Sequence, residues 1–166
     1  MQLSIASFLL SWAFLGIAGP GSQESTTFFS VSGDVEVVVT EATAQMVKIR
    51  DRIPAITIVS APASIRELGT SYSVNLFFSS DFDPKAGEVA IEFSYLRKTD
   101  TLGASFRQRG ATFSHDTKGT AEFIEFGEQV RVRFEFEVFD GSEGTEGRRR
   151  VTVTGEAICA RADIFG

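Results

Sequence analysis

The most regular pattern in the chain is an alternation of apolar and charged residues in QVRVRFEFEVFD, which covers 129–140. Valine or phenylalanine stands at every even position from Val130 to Val138, and arginine or glutamate stands at every odd position from Arg131 to Glu137. Successive side chains of a strand point to opposite faces, so this spacing predicts a strand with one apolar and one charged face.

The segment RRRVTVTGEAI alternates in the same way, and the turn-rich stretch DGSEGTEG separates it from the first strand. Laid antiparallel, the two segments match apolar residues on one face and compatible polar or oppositely charged residues on the other. The predicted pairs are Phe136 with Val151, Phe134 with Val153, Glu137 with Arg150, Glu135 with Thr152 and Arg131 with Glu156. A shift by one residue would turn charges towards the core, so the pattern predicts a hairpin.

A third strand, GTAEFIEF, precedes this hairpin, and only Gly127 and Glu128 stand between it and QVRVRF. A glycine in the first central position suits a two-residue type II′ turn. The pairs that follow from this turn are Phe123 with Val132 and Glu122 with Arg133. The three strands are therefore predicted to form a meander.

The first half of the chain contains further strand patterns. SYSVNLFFSS and EVAIEFSYLR flank the turn segment DFDPKAG, which predicts a hairpin, and AITIVS and DVEVVVT also have the character of strands. The predicted hairpin pairs are Tyr72 with Tyr95, Val74 with Phe93, Leu76 with Ile91 and Phe78 with Val89. Over 41–53 the spacing leaves open one short helix or a further strand. The residues with helical spacing are Ala42, Met46, Ile49 and Ile53.

Many short strands with turn signals between them indicate an all-β protein. The length of 166 residues and the hydrophobic fraction of 43% suffice for one domain with a real core. We predict a single antiparallel β-sandwich over 34–166, either immunoglobulin-like or a meander. Residues 19–33 are expected to connect this domain to the amino-terminal segment.

Residues 1–18, MQLSIASFLLSWAFLGIA, carry no charged side chain and contain an apolar run from Ile5 to Ala18. The run is shorter than a membrane-spanning helix needs. Gly16 and Ala18 supply the small residues of a signal-peptide cleavage site. We therefore predict a signal peptide, cleavage before Gly19 and no membrane span after processing. The mature protein would be secreted or otherwise extracytoplasmic, in the periplasm, at the cell surface or outside the cell. A retained anchor or a buried first element is the alternative.

The formal net charge of −6 belongs entirely to the part after this segment. Such a surface repels nucleic acid and anionic membranes. The one dense basic run, Arg148 to Arg150, follows the acidic DGSEGTEG, which predicts a salt-bridged hairpin tip.

Cys159 is the single cysteine and follows an apolar strand, so we expect a buried, inert thiol.

Catalytic patterns are scarce in the sequence. Ser114, His115 and Asp116 stand side by side. Neighbours on a strand point to opposite faces, so His115 cannot hydrogen-bond both of them as a catalytic triad requires. Nucleophile-elbow, zinc, phosphate-loop and dinucleotide motifs are absent from the sequence. We predict no catalytic residue, no cofactor and no enzymatic activity.

Two acidic loops contain oxygen ligands of the kind that calcium prefers. They contain Asp140, Ser142, Glu143 and Glu146 in one loop and Asp81 and Asp83 in the other. The first loop partly follows the spacing of an EF-hand, but Val151 stands where a bidentate glutamate is needed. We interpret this loop as a solvated acidic turn and keep calcium binding as the alternative.

The stretch ITIVSAPASIRELGTSYSVNLFFSS has a strand, a turn, a glycine and an alternating strand in that order. It resembles the opening strands of bacterial immunoglobulin-like surface domains. The pair QVRVRFEFEVFD and RRRVTVTGEAI is similar to their closing hairpin, so the likeness spans roughly Ile56 to Ile158. The chain lacks the cysteine pair, the core tryptophan and the penultimate-strand tyrosine of antibody-type domains. The resemblance implies a sandwich used for adhesion, spacing or binding, and it assigns no functional residue.

Three functional classes follow, in order of preference. The first is a non-enzymatic interaction or structural module that binds another protein, or an envelope or matrix component, through loops or sheet edges. The second is a β-barrel around a small apolar ligand, which needs a void between the inward phenylalanine and valine side chains. The third is a small secreted hydrolase. The sequence does not decide the oligomeric state.

Overall fold

The computed structural model describes residues 26–50, 53–60, 71–79, 82, 85–93, 100–141 and 144–163. Ten strands and no helix occur among these residues, so the all-β prediction is confirmed. The strands are β1 (Thr27–Gly33), β2 (Val37–Ile49), β3 (Ile53–Ser60), β4 (Ser73–Phe78), β5 (Gly87–Glu92), β6 (Thr101–Gln108), β7 (Ala111–Phe113), β8 (His115–Phe126), β9 (Gln129–Phe139) and β10 (Arg150–Ala160).

All ten strands belong to one mixed sheet with the hydrogen-bonded order β4-β3-β2-β1-β10-β9-β8-β5-β6-β7. β4 also pairs with β6, so the order returns to its own start and the sheet closes. Among the described pairings only β5 with β6 is parallel. The predicted two-sheet sandwich is not confirmed, because the described strands form one continuous sheet.

The inward faces of the closed sheet form a single apolar core. Phenylalanine rings from distant strands meet there. The ring of Phe78 lies 5.0 Å from that of Phe82 and 6.2 Å from that of Phe123, measured between centroids. Phe106 and Phe113 lie 5.7 Å apart. The interior is therefore occupied by phenylalanine and branched aliphatic side chains that pack against one another.

Two glycines allow large side chains to lie against the backbone in the middle of strands. A Cβ atom at Gly119 would clash with the carbonyl oxygen of Glu135 and would lie 2.7 Å from Cβ of Phe136. A Cβ atom at Gly155 would lie 2.8 Å from Cζ of Phe134. A Cβ atom at either position would force the backbone or a packed ring to move. The close packing of β9 against β8 and β10 therefore requires glycine at both positions.

The meander β8-β9-β10 forms as predicted, with β9 in the middle. Its inward positions are buried, including Phe134 and Phe136. The register between β9 and β10 differs from the prediction by two residues, because Phe136 faces Val153 and Val138 faces Val151. A shift of two preserves both faces, so alternation alone cannot distinguish the two registers.

The predicted charge pairs of this hairpin form across diagonals. Arg131 Nε donates to Glu156 Oε1 at 2.7 Å, and Arg150 Nη1 lies 3.4 Å from Glu137 Oε2. In the backbone register, Arg131 faces Ile158. Long side chains reach a diagonal neighbour, and for that reason charge matching also tolerates a shift of two residues.

The predicted turn between β8 and β9 is wrong in type, although the pairs further from it are confirmed. Phe123 faces Val132, and Glu122 faces Arg133. Gly127 does not have the positive φ angle that a type II′ turn requires at this position. Instead, a register shift after Phe123 accommodates the turn.

The helix considered for 41–53 is wrong, because β2 runs through most of this segment. Ala42, Ala44 and Met46 face the core with a period of two, beside their cross-strand partners on β3. Ala44 was not among the residues with helical spacing. Together with Ala42 and Met46 it forms the alternating pattern of a strand. The first part of β2, from Val37 to Ala42, pairs with β1, and the part from Ala42 to Ile49 pairs with β3, so strand pairing and not a helix takes up its backbone hydrogen bonds.

The predicted hairpin between β4 and β5 is also wrong. β4 pairs with β3 and β6, while β5 pairs with β8 and β6. Val74 faces Phe106 of β6, and Phe93, its predicted partner, is 56% exposed. Tyr95 lies outside the described residues. Alternation identifies the apolar face of a strand, but several strands offer an equally suitable partner.

Residues 1–25 lie outside the described residues, so the signal peptide and its cleavage stay predictions. The segment 19–33 was expected to be a connection. Its last part is β1, which lies between β2 and β10 in the sheet.

Candidate functional site

Among the described strand pairings, the contact between β5 and β6 is the shortest in the closed sheet. It consists of two pairs, Ala90 with Thr101 and Ile91 with Leu102. Further along β6, pairing on this side resumes at Phe106, where β7 begins to pair with it. Clefts open on the two sides of this short contact.

The larger opening, named here the β5 cleft, has a volume of about 780 Å³. It is lined by Phe82, residues 85–90, Glu92, Asp100 and Thr101. Six of these residues are consecutive, so the cleft follows the edge of β5. Among the described residues, 87–89 pair with β8 only. The opposite backbone edge of these residues has no neighbouring strand in the part of the chain that the structure describes, and it is suited to pair with another chain.

Among the described residues, two buried hydroxyl groups near the start of β6 have no hydrogen-bond partner, Thr101 Oγ1 and Ser79 Oγ. Each residue is 4% exposed. Phe78 pairs with Leu102, so Ser79 and Thr101 occupy the next cross-strand position, but only Thr101 lines the cleft. Burying a hydroxyl without a partner costs about 1–3 kcal/mol. Thr101 therefore brings a buried, unpaired hydroxyl group to the wall of the cleft.

Acidic side chains outnumber basic ones in the described lining of the β5 cleft. Glu88, Glu92 and Asp100 bring three carboxylates, and Lys85 brings one ammonium group. Glu88 and Asp100 are exposed, whereas the apolar Phe82 is buried. The cleft thus combines an apolar side chain, an unpaired hydroxyl and an excess of negative charge.

The smaller opening, the wall notch, has a volume of about 180 Å³ and is lined by Phe77, Phe93, Gly103, Ala104, Ser114 and Thr117. The exposed ring of Phe93 stacks on His115 with 5.9 Å between centroids. Thr117 Oγ1 donates to the carbonyl oxygen of Ala104 at 3.3 Å, which joins β8 to β6. The notch is therefore a shallow, partly aromatic surface on the outside of the sheet.

Ser114, His115 and Asp116 make separate contacts. His115 stacks on Phe93, and Asp116 forms an ion pair with Arg148. The backbone N–H of Ser114 donates to the carbonyl oxygen of Phe139 at 2.9 Å. Asp116 has a φ angle of 47°, which marks an irregular position near the start of β8.

Arginine side chains hold the tip of the β9–β10 hairpin, as predicted. Arg149 Nε lies 2.7 Å from Asp140 Oδ2, and the backbone N–H of Arg149 donates to Asp140 Oδ1 at 2.7 Å. That backbone hydrogen bond is the largest cause that lowers the pKa of Asp140. The guanidinium carbon of Arg148 lies 3.8 Å from the centre of the Phe139 ring.

The structure describes Asp140 and Glu146 of the candidate calcium loop, while Ser142 and Glu143 lie outside the described residues. Asp81 and Asp83 of the second acidic loop also lie outside them. Both carboxylate oxygens of Asp140 accept hydrogen bonds from Arg149. Within the described ranges no three acidic, histidine or cysteine side chains converge on a position for a metal ion. Calcium binding stays a hypothesis from the sequence.

A buried carboxylate on the outer face joins neighbouring strands. Glu156 is 6% exposed and accepts hydrogen bonds from Arg131 Nε at 2.7 Å and Arg133 Nε at 3.1 Å. Arg133 also lies 3.7 Å from Glu122. Two guanidinium partners explain how this carboxylate is buried, since an unpaired buried charge is strongly destabilising.

Cys159 is 7% exposed, which confirms the predicted burial. Burial raises the pKa of its thiol from 9.0 to about 11. The reactive form of cysteine is the thiolate, so a thiol with this pKa is inert at neutral pH.

The sequence did not identify the β5 cleft. Thr101 and Asp100 stand in no motif, and the parallel contact with Ala90 arises only from the topology of the whole sheet. The one available signal was the turn segment DFDPKAG. Its Gly87 has a φ angle of 130° and marks the beginning of β5.

No protein-family model, curated protein or solved structure matches the chain. The resemblance to bacterial immunoglobulin-like surface domains therefore stays a prediction. No helix in the described ranges is long and apolar enough to cross a membrane.

Proposed function

We propose that this protein is a non-enzymatic, extracytoplasmic binding module that recognises another protein, or an envelope or matrix component, through the edge of β5. The observation that carries the proposal is the β5 cleft, about 780 Å³ in volume, beside a strand edge that lacks a second neighbour over 87–89 in the described part of the chain. An extended segment adds to such an edge through main-chain hydrogen bonds, and adjacent pockets select its side chains.

Several observations favour this function over the alternatives. The cleft has the size of known ligand sites, which range from about 300 to 1,000 Å³. An apolar ligand inside the sheet would compete with buried phenylalanine side chains such as Phe78 and Phe123. A hydrolase that used Ser114, His115 and Asp116 as a triad would need them to act together, and their contacts differ. The immunoglobulin-like sandwich remains an expectation from the sequence resemblance. The proposed binding at the edge of β5 does not depend on it.

The test is a selection of random extended peptides on the protein that begins at Gly19, with two tryptophan variants. Ala90 is exposed and lines the cleft, so Ala90→Trp fills the cleft without removing a core contact. Val38→Trp is the control, since Val38 is 77% exposed and lies outside the cleft.

Peptides enriched on the wild type should bind Val38→Trp equally and bind Ala90→Trp at least about tenfold more weakly, a difference of about 1.4 kcal/mol. Equal binding to all three proteins, or no enrichment at all, would contradict the proposed function.

A further inference from the structure

The lining of the β5 cleft also indicates which kind of segment it binds. We propose that the partner's extended segment presents a lysine or arginine side chain to Thr101, with Glu88 and Asp100 as its ionic partners. This inference rests on the proposed function, because it takes the edge of β5 as the binding site.

The charge of the cleft favours a cationic side chain. Its described lining contains three carboxylates and one ammonium group, in a protein with a formal net charge of −6. Glu92 lies opposite Lys118 of β8, whereas Glu88 and Asp100 are exposed at the cleft. Complementary charge at an interface gives specificity and speeds association, so a basic segment is preferred over an acidic one.

The unpaired hydroxyl of Thr101 points to the same chemistry. Thr101 lines the cleft, is 4% exposed, and its Oγ1 atom has no hydrogen-bond partner. A hydroxyl oxygen accepts hydrogen bonds, and ammonium and guanidinium groups carry only donors. Hydrogen bonds from a charged donor are shorter and stronger than neutral ones. A basic side chain therefore satisfies the hydroxyl and the carboxylates together, while an apolar side chain would leave the hydroxyl unpaired.

The substitution Thr101→Val separates binding from a structural role. It keeps the shape of the side chain and removes the unpaired hydroxyl, so the melting temperature should stay equal or rise. Peptides selected on the wild type should bind this variant about tenfold more weakly, as expected for one lost hydrogen bond to a charged group. Ser79→Ala is the matched control. It removes the other unpaired hydroxyl, which does not line the cleft, and should leave peptide affinity unchanged.

The ionic partners are tested from both sides of the contact. Replacing the basic residue of a selected peptide by norleucine should weaken binding to the wild type about tenfold. The double variant Glu88→Gln, Asp100→Asn should bind the basic and the norleucine peptide with nearly equal affinity. Glu41→Gln changes an exposed carboxylate on β2 and should retain the difference.

The failure of this inference is distinguishable from the failure of the proposed function. If the selected peptides lose binding to Ala90→Trp but contain no basic residue, or bind Thr101→Val as tightly as the wild type, the inference is overturned and the edge of β5 stays a binding site. If binding survives in Ala90→Trp, the proposed function itself is contradicted. Enrichment of lysine or arginine together with sensitivity to Thr101→Val supports both.

Discussion

Phe134 and Arg133 are neighbours on β9, but their side chains lie on opposite faces of the sheet. Phe134 is 4% exposed and its ring lies 6.2 Å from that of Phe136. Arg133 has a side chain that is 58% exposed, and its partner Glu156 also binds Arg131. The two residues therefore make very different contributions to stability.

We predict that Phe134→Ala lowers the free energy of unfolding by about 3–5 kcal/mol, the usual effect of removing a packed aromatic side chain. Arg133→Ala should lower it by less than about 1 kcal/mol, because solvent screens the lost ion pair and Arg131 still neutralises Glu156. Urea denaturation measures both effects. Two equally mild changes would show that the faces of β9 are assigned wrongly.

The thiol of Cys159 makes stability depend on pH in a defined range. Burial raises its pKa from 9.0 to about 11, so the folded protein holds the thiol proton more tightly than the unfolded chain. The resulting stabilisation is complete below pH 9.0 and is lost as the pH rises towards about 11. We predict that the melting temperature of the wild type falls more steeply over this range than that of Cys159→Ala. Parallel pH profiles would contradict the burial of the thiol.

At the scale of strands, the sequence predicted the apolar face of each strand better than it predicted which strands pair. The alternation in β9 and β10 predicted their apolar sides and their antiparallel pairing, but charge matching and face matching both allowed a register shifted by two residues. The wrong partner for β4 has the same cause, because Val74 packs equally well against any apolar face and the structure places Phe106 there. In β2, small residues such as Ala42 and Ala44 suit a helix or a strand, and only the pairing with neighbouring strands decides between them.

The hairpin tip between β9 and β10 gives a prediction about calcium. Both oxygens of Asp140 accept hydrogen bonds from Arg149, so an ion would have to displace a charged partner. We predict that millimolar calcium leaves the melting temperature unchanged, since a ligand that binds the folded state would raise it by mass action. A calcium-dependent rise that disappears in Asp140→Asn would instead establish this loop as a metal site.

At the scale of the whole molecule, the closure of the sheet depends on contacts that no local pattern contains. β4 meets β6, and in the described ranges β5 meets β6 at Ala90 and Ile91 alone. These contacts join segments across loops, so turn signals and alternation indicated many strands without distinguishing a sandwich from a closed sheet. The β5 cleft results from this closure, and Thr101 and Asp100 therefore had no signal in the sequence as site residues.

The location of the protein rests on the amino-terminal segment. The uncharged apolar run that ends in Gly16, Ile17 and Ala18 predicts cleavage by a signal peptidase. We predict that the exported protein begins at or near Gly19. Mass spectrometry of the secreted, soluble protein checks this, and an intact Met1 would contradict it.

The central claim, that the edge of β5 is a binding surface, is tested most directly by amide hydrogen exchange, measured residue by residue with a selected peptide present and absent. Over 87–89, the amides that do not bond to β8 lie at an edge without a neighbour in the described ranges and should exchange rapidly in the free protein. With the peptide bound, we predict that their exchange slows at least about tenfold while exchange in β9 stays unchanged. Protection that is already present in the free protein, or exchange over 87–89 that does not change on binding, would contradict the account.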